Sequence, residues 1–219
     1  YKESKVNRSI EKIENELGKL GYAFVNVQKS LIKDKLKSLV KVVYQATEGR
    51  KVYVERINIY GNTRTLDKVI RRELRLAEGG VYNTEKLRRS RERIVNLGFF
   101  SAVDVKTLRG SVDDKIIIEI HVKEKSTGQI TFGGGFSSTD GLLGDVSLSE
   151  RNFLGKGQNM KLAFRLSSVR QEVDFAFTEP YFLGSNFSAG IDLFSRKEGE
   201  GSSQTLSKST RSYDLKRLG

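Results

Sequence analysis

The chain has 219 residues, 37% of them hydrophobic, enough for one or two domains with a packed core. It has no cysteine and one histidine, His121, which excludes disulfides, thiolate metal sites and most acid–base chemistry near neutral pH, so no cofactor and no enzyme chemistry are called for. The net charge of +12 is unevenly spread, with +5 on residues 1–50, +6 on 51–125 and +1 on 126–219, so two kinds of material meet near Ser126.

Residues 3–20 carry Val6, Ile10, Ile13, Leu17 and Leu20 at helical steps. Gly18 and Gly21 then break the helix. Strands are expected over about 22–32 and 37–47, giving a helix-strand-strand unit. Residues 51–61 read as a further strand. A helix capped at Thr65 follows, with Leu66, Val69, Ile70 and Leu74 on one face. Glu78-Gly79-Gly80 ends it, which puts Glu78 at a helix C-terminus. A second helix over about 84–97, capped at Thr84, turns Leu87, Ile94 and Leu97 inward. Strands over 99–108 and 115–125 complete this part; in the latter Ile116, Ile118, Ile120 and Val122 oppose Glu119 and His121. The order is β-α-α-β-β, and its helix-strand-strand half occurs twice, the mark of an internal repeat.

From Gln129 onward helical periodicity stops. Val146 and Leu148 alternate with Asp145, Ser147 and Ser149; Leu162, Phe164 and Leu166 with Lys161, Ala163 and Arg165. The same dyad recurs at Val173, Phe175 and Phe177 and at Phe187, Ala189, Ile191 and Leu193. Such segments of about ten residues suit a transmembrane β-barrel, and alternate in the same way in a soluble β-sandwich. No run of about 18 apolar residues occurs that would read as a transmembrane helix. No signal peptide is visible, and the opening YKESKV reads as the first turn of a helix rather than a natural start.

Three stretches carry a family resemblance. Residues 52–105, with Gly61-Asn62 after a strand, then TLDKVIRREL, GGVYNTEKL and NLGFFSAVDV, resemble a POTRA domain. The turn Asn152-Phe153-Leu154-Gly155-Lys156-Gly157 resembles the N-x-L-G-x-G turn of the BamA superfamily barrels, and Thr178-Glu179-Pro180-Tyr181-Phe182 its (N/E)-P-Y-F turn. The chain is therefore similar throughout to the BamA family of outer-membrane protein assembly factors. The resemblance implies α+β POTRA repeats followed by antiparallel transmembrane strands of an incomplete β-barrel. It divides the chain into a partial POTRA domain (1–49), a complete membrane-proximal one (50–125) and the first five to six barrel strands (126–219).

It also implies a function: binding unfolded outer-membrane protein clients by strand augmentation and templating their insertion. The location implied is the outer membrane, with the POTRA domains in the periplasm. Accessory lipoproteins, periplasmic chaperones and outer-membrane lipid are the further partners implied. A two-partner secretion or translocation-and-assembly transporter is the alternative within the superfamily. A soluble basic binding module with a β-sandwich tail is the alternative of another class.

Particular residues sharpen these expectations. Gln129, Ile130, Thr131, Phe132, Gly133, Gly134, Gly135 and Phe136 form the first barrel strand, which by resemblance lies at a seam and pairs with clients. Its three glycines offer few cross-strand contacts, so the strand is expected to be weakly held, and valines there to stiffen it. Glu78, with Arg71 nearby, is implied as the contact for a lipoprotein arginine. Placed at a helix C-terminus it conflicts with the helix dipole, so Glu78→Lys is expected to leave stability unharmed. The family turns single out Asn152, Leu154, Gly155, Gly157, Glu179, Pro180, Tyr181 and Phe182. Arg88, Arg89, Arg91 and Arg93 lack interleaved aromatics and read as a solvated helix face, not a nucleic-acid site. Asp145, Asp174 and Asp192 are the carboxylates expected to face a wet lumen.

Overall fold

The computed structural model describes residues 2–34, 39–47, 50–199 and 205–214. The chain gathers into two compact units: Tyr1–Asn62 with Ile70–Lys123, and Thr63–Val69 with Glu124–Gly219.

The first unit opens with α1 (Glu3–Lys19), which buries Val6 and Gly18. An antiparallel hairpin follows, β1 (Val27–Asp34) with β2 (Leu39–Ala46), in register from Val27 opposite Ala46 to Asp34 opposite Leu39. The first of these starts five residues later than the apolar run suggests. Gly21 and Phe24 take φ of 100° and 60°, left-handed backbone that interrupts an extended segment. Positions 37 and 38 of the second expected strand lie outside the described residues.

Next come β3 (Tyr53–Tyr60), α2 (Asp67–Arg71), α3 (Thr84–Asn96), β4 (Phe100–Arg109) and β5 (Lys115–Glu124). The sheet order is β3-β5-β4, with β3 parallel to β5. A parallel pair cannot be joined by a hairpin, and the helical crossover supplies the return. The central strand β5 buries Ile116, Ile118, Ile120 and Val122, the face its alternation marks. Ile70 and Ile94 from the helices are fully buried with them in the core.

The crossover helices differ from their sequence pattern. α2 has five residues and ends at Arg71, not at Glu78. Beyond it the Glu73 and Leu74 amides donate to the Ile70 and Arg71 carbonyls at 3.0 and 3.1 Å, tightening the chain into turns. The Arg75 amide is then taken by Ser90 Oγ at 2.7 Å. A helix cannot continue when a side chain from elsewhere claims the next amide. α3 is capped by Asn83, whose side chain accepts from Lys86 N at 2.8 Å, and Thr84 is its first residue.

The arginines of α3 are matched locally. Arg88 and Arg89 bind Glu85, and Arg88 also binds Glu92. Hydrogen bonds from Arg88 and then Arg89 hold the Glu85 carboxyl down to about 2. Arg91 Nε donates to the Val103 carbonyl at 3.1 Å, and Arg93 reaches Glu73 at 2.6 Å. Three of the four, Arg88, Arg89 and Arg93, are matched by neighbouring acids, which leaves little of the electrostatic footprint that nucleic acid needs.

The second unit is one antiparallel sheet of β6 (Gly128–Ser137), β7 (Gly141–Phe153), β8 (Gln158–Ser167), β9 (Arg170–Glu179), β10 (Phe187–Glu198) and β11 (Thr205–Asp214). Its strands are ordered as they occur in the chain, with β6 and β11 at the edges, and the sheet is unclosed. Register sets Ile130, Leu148, Leu162, Phe175 and Leu193 in one cross-strand row and Phe132, Val146, Phe164 and Val173 in another. The opposite face carries the row Gly133, Asp145, Arg165, Glu172 and Arg196. Phe132, Phe136 and Leu142 are 75%, 80% and 73% exposed. A β-sandwich would bury this face against a second sheet, whereas here its large apolar side chains are exposed. Among the described residues no helix is long and apolar enough to cross a membrane, which says nothing of strands. An apolar outer face over a charged inner one is what lipid on one side and water on the other require.

The Glu73–Arg93 pair gives a test of the first unit. Glu73 is 5% exposed and Arg93 donates to both its carboxylate and its carbonyl. Removing one partner strands the other charge, though Arg93 keeps some solvent. Glu73→Ala is expected to cost about 1–3 kcal/mol, below the fully buried case, and to lower the thermal midpoint of the first unit. An unchanged midpoint would show that the pair contributes nothing.

Candidate functional site

All eight residues from Gln129 to Phe136 lie in β6, an edge strand of the six-stranded sheet. β6 pairs with β7 without a break, from Gly128 opposite Glu150 to Ser137 opposite Gly141. On that side its backbone is paired along the whole strand. On the other side no strand is set against it among the described residues. Ile130, Phe132, Gly134 and Phe136 share the apolar face; Gln129, Thr131, Gly133 and Gly135 share the other.

The three glycines are not equivalent. A Cβ on Gly133 would lie under 3.0 Å from the Asp145 carboxylate, which fills the space above it. At Gly134 the nearest atom is the Leu143 carbonyl at 3.6 Å, and at Gly135 nothing lies within 4 Å. Valine at Gly133 would therefore displace Asp145 instead of adding a cross-strand pair. Asp145 heads a line of alternating charge along the inner face. Arg165 bonds Asp174 at 2.7 Å and approaches Glu172 at 3.4 Å, and Arg196 bonds Glu172 at 3.0 Å. Asp174 shares this inner face, as its alternation indicates, and so does Glu172, which the alternation did not single out.

The two family turns lie at one end of the sheet. Asn152 Oδ1 accepts from Gly157 N at 2.8 Å, and Leu154, Gly155 and Gly157 take φ of 53°, 69° and 70°. Glu179 accepts from Tyr181 N at 3.1 Å and from Gln158 Nε2 at 2.7 Å, so it ties the second turn to the strand that leaves the first. Phe153 and Phe177 meet edge to face at 6.5 Å. Pro180 follows the last residue of β9, and Phe182 is exposed. Sequence reasoning missed Glu124 and Glu150 and took Thr65 only for a helix cap; all three contact the first turn or its neighbours. Each is an ordinary polar residue with a partner far off in the chain, which no spacing signals.

Arg71 and Glu78 do come together, but not as a helix-end pair. Glu78 Oε1 accepts from the Ile57 amide at 2.9 Å, and Arg71 Nη2 donates to the Ile57 carbonyl at 2.9 Å. The two side chains touch at 3.3 Å. Together they satisfy both backbone groups of one β3 residue, as a neighbouring strand would. Gly79–Tyr82 continues the same cover: Gly79 N donates to Val54 O, Val54 N to Gly80 O and Tyr82 N to Val52 O, at 2.7 to 2.9 Å. The outer edge of β3 is thus occupied from Val52 to Ile57. The Ile57 amide, ahead of Arg71, holds the Glu78 carboxyl below its usual range. A depressed pKa means this contribution is present above the ordinary carboxylate range and lost as pH falls through the folded value.

The expectation that Glu78→Lys spares stability is therefore overturned, because the acid serves Ile57 and no helix end lies beside it. Lysine removes the acceptor and adds repulsion toward Arg71. The cost is expected to be about 1–3 kcal/mol, as for an amide left without its partner, while Glu78→Gln keeps an acceptor and loses less. Thermal unfolding of the two variants checks this; equal midpoints would contradict it.

Comparison with known proteins finds two families along the chain. The POTRA family model, described as a surface antigen variable number repeat, matches residues 1–49 and again 52–125. The Omp85 superfamily domain matches residues 152–219. The outer membrane protein assembly factor BamA of Neisseria meningitidis is 33% identical over 198 residues, 90% of this chain and 25% of that protein. BamA from Haemophilus ducreyi lacking POTRA domains 1–3 superposes with a TM-score of 0.80 at 27% identity, over 96% of this chain and 40% of that one. CdiB from Escherichia coli, at 12% identity and a TM-score of 0.52 over 96% of this chain and 39% of that one, shares the fold alone. The chain spans about a quarter of the length of the curated relatives it matches. Two POTRA matches leading into an Omp85 domain, on a sheet with an apolar outer face, place it in the outer membrane with its α+β part in the periplasm: the chain belongs to the BamA family of the Omp85 superfamily.

Proposed function

We propose that this chain acts in outer-membrane protein assembly, binding unfolded β-barrel clients through strand edges and templating their insertion at β6. The carrying observation is a ten-residue edge strand on a sheet whose outer face is apolar. Main-chain groups supply the affinity in strand augmentation, so clients of different sequence are served by one edge. In the complete POTRA domain, proposed as residues 50–125, the Val52–Ile57 edge is occupied. β4, at the other side of that sheet, is the edge left to an extended segment delivered by a periplasmic chaperone. The reading involves binding and templating, with no catalytic step.

Glu78 and Arg71 are about half exposed, and we assign them to the contact with an accessory lipoprotein. A partner arginine would find a carboxylate already oriented by Ile57. Because Glu78→Gln keeps the fold contact, co-purification with it separates the two roles: loss of the lipoprotein supports the contact, and full retention removes it.

Photo-crosslinking tests the main proposal. With the protein in its membrane, a photoreactive residue at Thr131, Phe132 or Gly134 in β6 is expected to capture a stalled client. The same residue at Phe164 in the central strand β8 is expected not to. Capture at neither strand, or equally at both, would contradict templating at β6.

A further inference from the structure

The Asn152–Gly157 turn does more than reverse the chain between β7 and β8. Its left-handed residues turn the Gly155 carbonyl outward, where it accepts from the Leu66 amide at 2.9 Å. A Cβ on Gly155 would lie under 3.0 Å from the Arg64 carbonyl. That neighbour is backbone and cannot swing aside, so the approach is closed to any other residue. Asn152 works on both sides: its Oδ1 accepts from Gly157 inside the turn, and its Nδ2 donates to Thr65 Oγ1 at 2.9 Å. Thr65 is 2% exposed, so this bond is shielded from water.

Glu124, the last residue of β5, holds the other side of the loop. Its carboxylate accepts from Thr63 Oγ1 at 2.9 Å, Arg64 N at 3.0 Å and Thr65 N at 2.7 Å. Desolvation works against the charged form, but hydrogen bonds from Thr65, Thr63 and Arg64 prevail and keep its pKa low. Glu150 completes the circuit, accepting from Thr127 Oγ1 and from Asn152 N. Glu124 and Thr127 bound the short segment that leads into β6, so both its ends are tied to this network. Every residue in it belongs to the second unit, although Thr63–Val69 is flanked in sequence by chain of the first.

We propose that the Asn152–Gly157 turn is a docking site for the Thr63–Leu66 loop of this same chain, and that the docked loop, with Glu124 and Glu150, clamps the start of β6. The family turn is then a latch whose first glycine, Gly155, is required by contact and not only by its φ. This inference stands whether or not β6 templates clients.

Residue-resolved amide exchange on the full protein in lipid tests it. Gly155→Ala is expected to speed exchange at the Leu66 amide by about tenfold or more, the loss of one hydrogen bond in a shielded site. Gly184→Ala is the control, since Gly184 has φ of 74° with nothing within 4 Å of its Cβ position; it carries the strain without the contact and should leave Leu66 unchanged. Thr65→Val removes the hydroxyl with little change of shape, and should speed exchange at Leu66 if Gly155→Ala does not fold. Unchanged Leu66 exchange in Gly155→Ala, or in Thr65→Val where it alone folds, would overturn the latch. An equal rise from Gly184→Ala would overturn it too.

Discussion

A strand that faces lipid must pair every backbone N–H and C=O, since hydrocarbon supplies no substitute partner. β6 meets that demand toward β7 along its whole length and presents the same row of groups on its other side. A demand unmet in lipid is a strong attraction for any strand that can meet it, whether a neighbour in a closed barrel or an incoming segment. The apolar outer face keeps this edge at the depth where water cannot compete. The charged inner face, with its Asp145, Arg165, Glu172 and Arg196 row, keeps the sheet from turning over.

The edges of β3 and β6 are treated in opposite ways. The edge of β3 is covered by the Gly79–Tyr82 segment and by the Arg71–Glu78 pair, which imitates one residue of a strand. Covering an edge is how soluble sheets avoid unwanted pairing. β6 carries no such cover among the described residues. What it has instead is anchorage at its start, through Thr127, Glu150 and Asn152. Its glycine-rich stretch bears no side chains on the inner face at Gly133 and Gly135, and the Asp145 carboxylate occupies the space over Gly133.

Much of this was legible in the sequence because it rests on local periodicity. The alternation at Ile130 to Phe136 and at Ile116 to Val122 follows from the strand period, and one side of each is buried or lipid-suited in the fold. The family turns were legible because left-handed backbone restricts residue choice within a few positions, as at Gly155 and Gly157. What failed depends on partners distant in the chain. α2 gives way to turns after Arg71, and the Ser90 hydroxyl, 15 residues on, takes the Arg75 amide beyond them, which no helix propensity records. Glu78 was misread because its partner is the Ile57 backbone, 21 residues away. Glu124 carries no local signal and Thr65 signals only a helix cap, since their roles in the turn exist only once the loop meets it.

The most direct test of the account is the environment of each residue along β6. Spin labels placed one at a time from Gln129 to Phe136, with the protein in a bilayer, can be probed with oxygen, which enters lipid, and with a water-soluble nickel complex. The account predicts strict alternation: oxygen reaches Ile130, Phe132, Gly134 and Phe136, and nickel reaches Gln129, Thr131, Gly133 and Gly135. Equal access of nickel to both sets, with no period of two, would contradict a strand that stands between lipid and water.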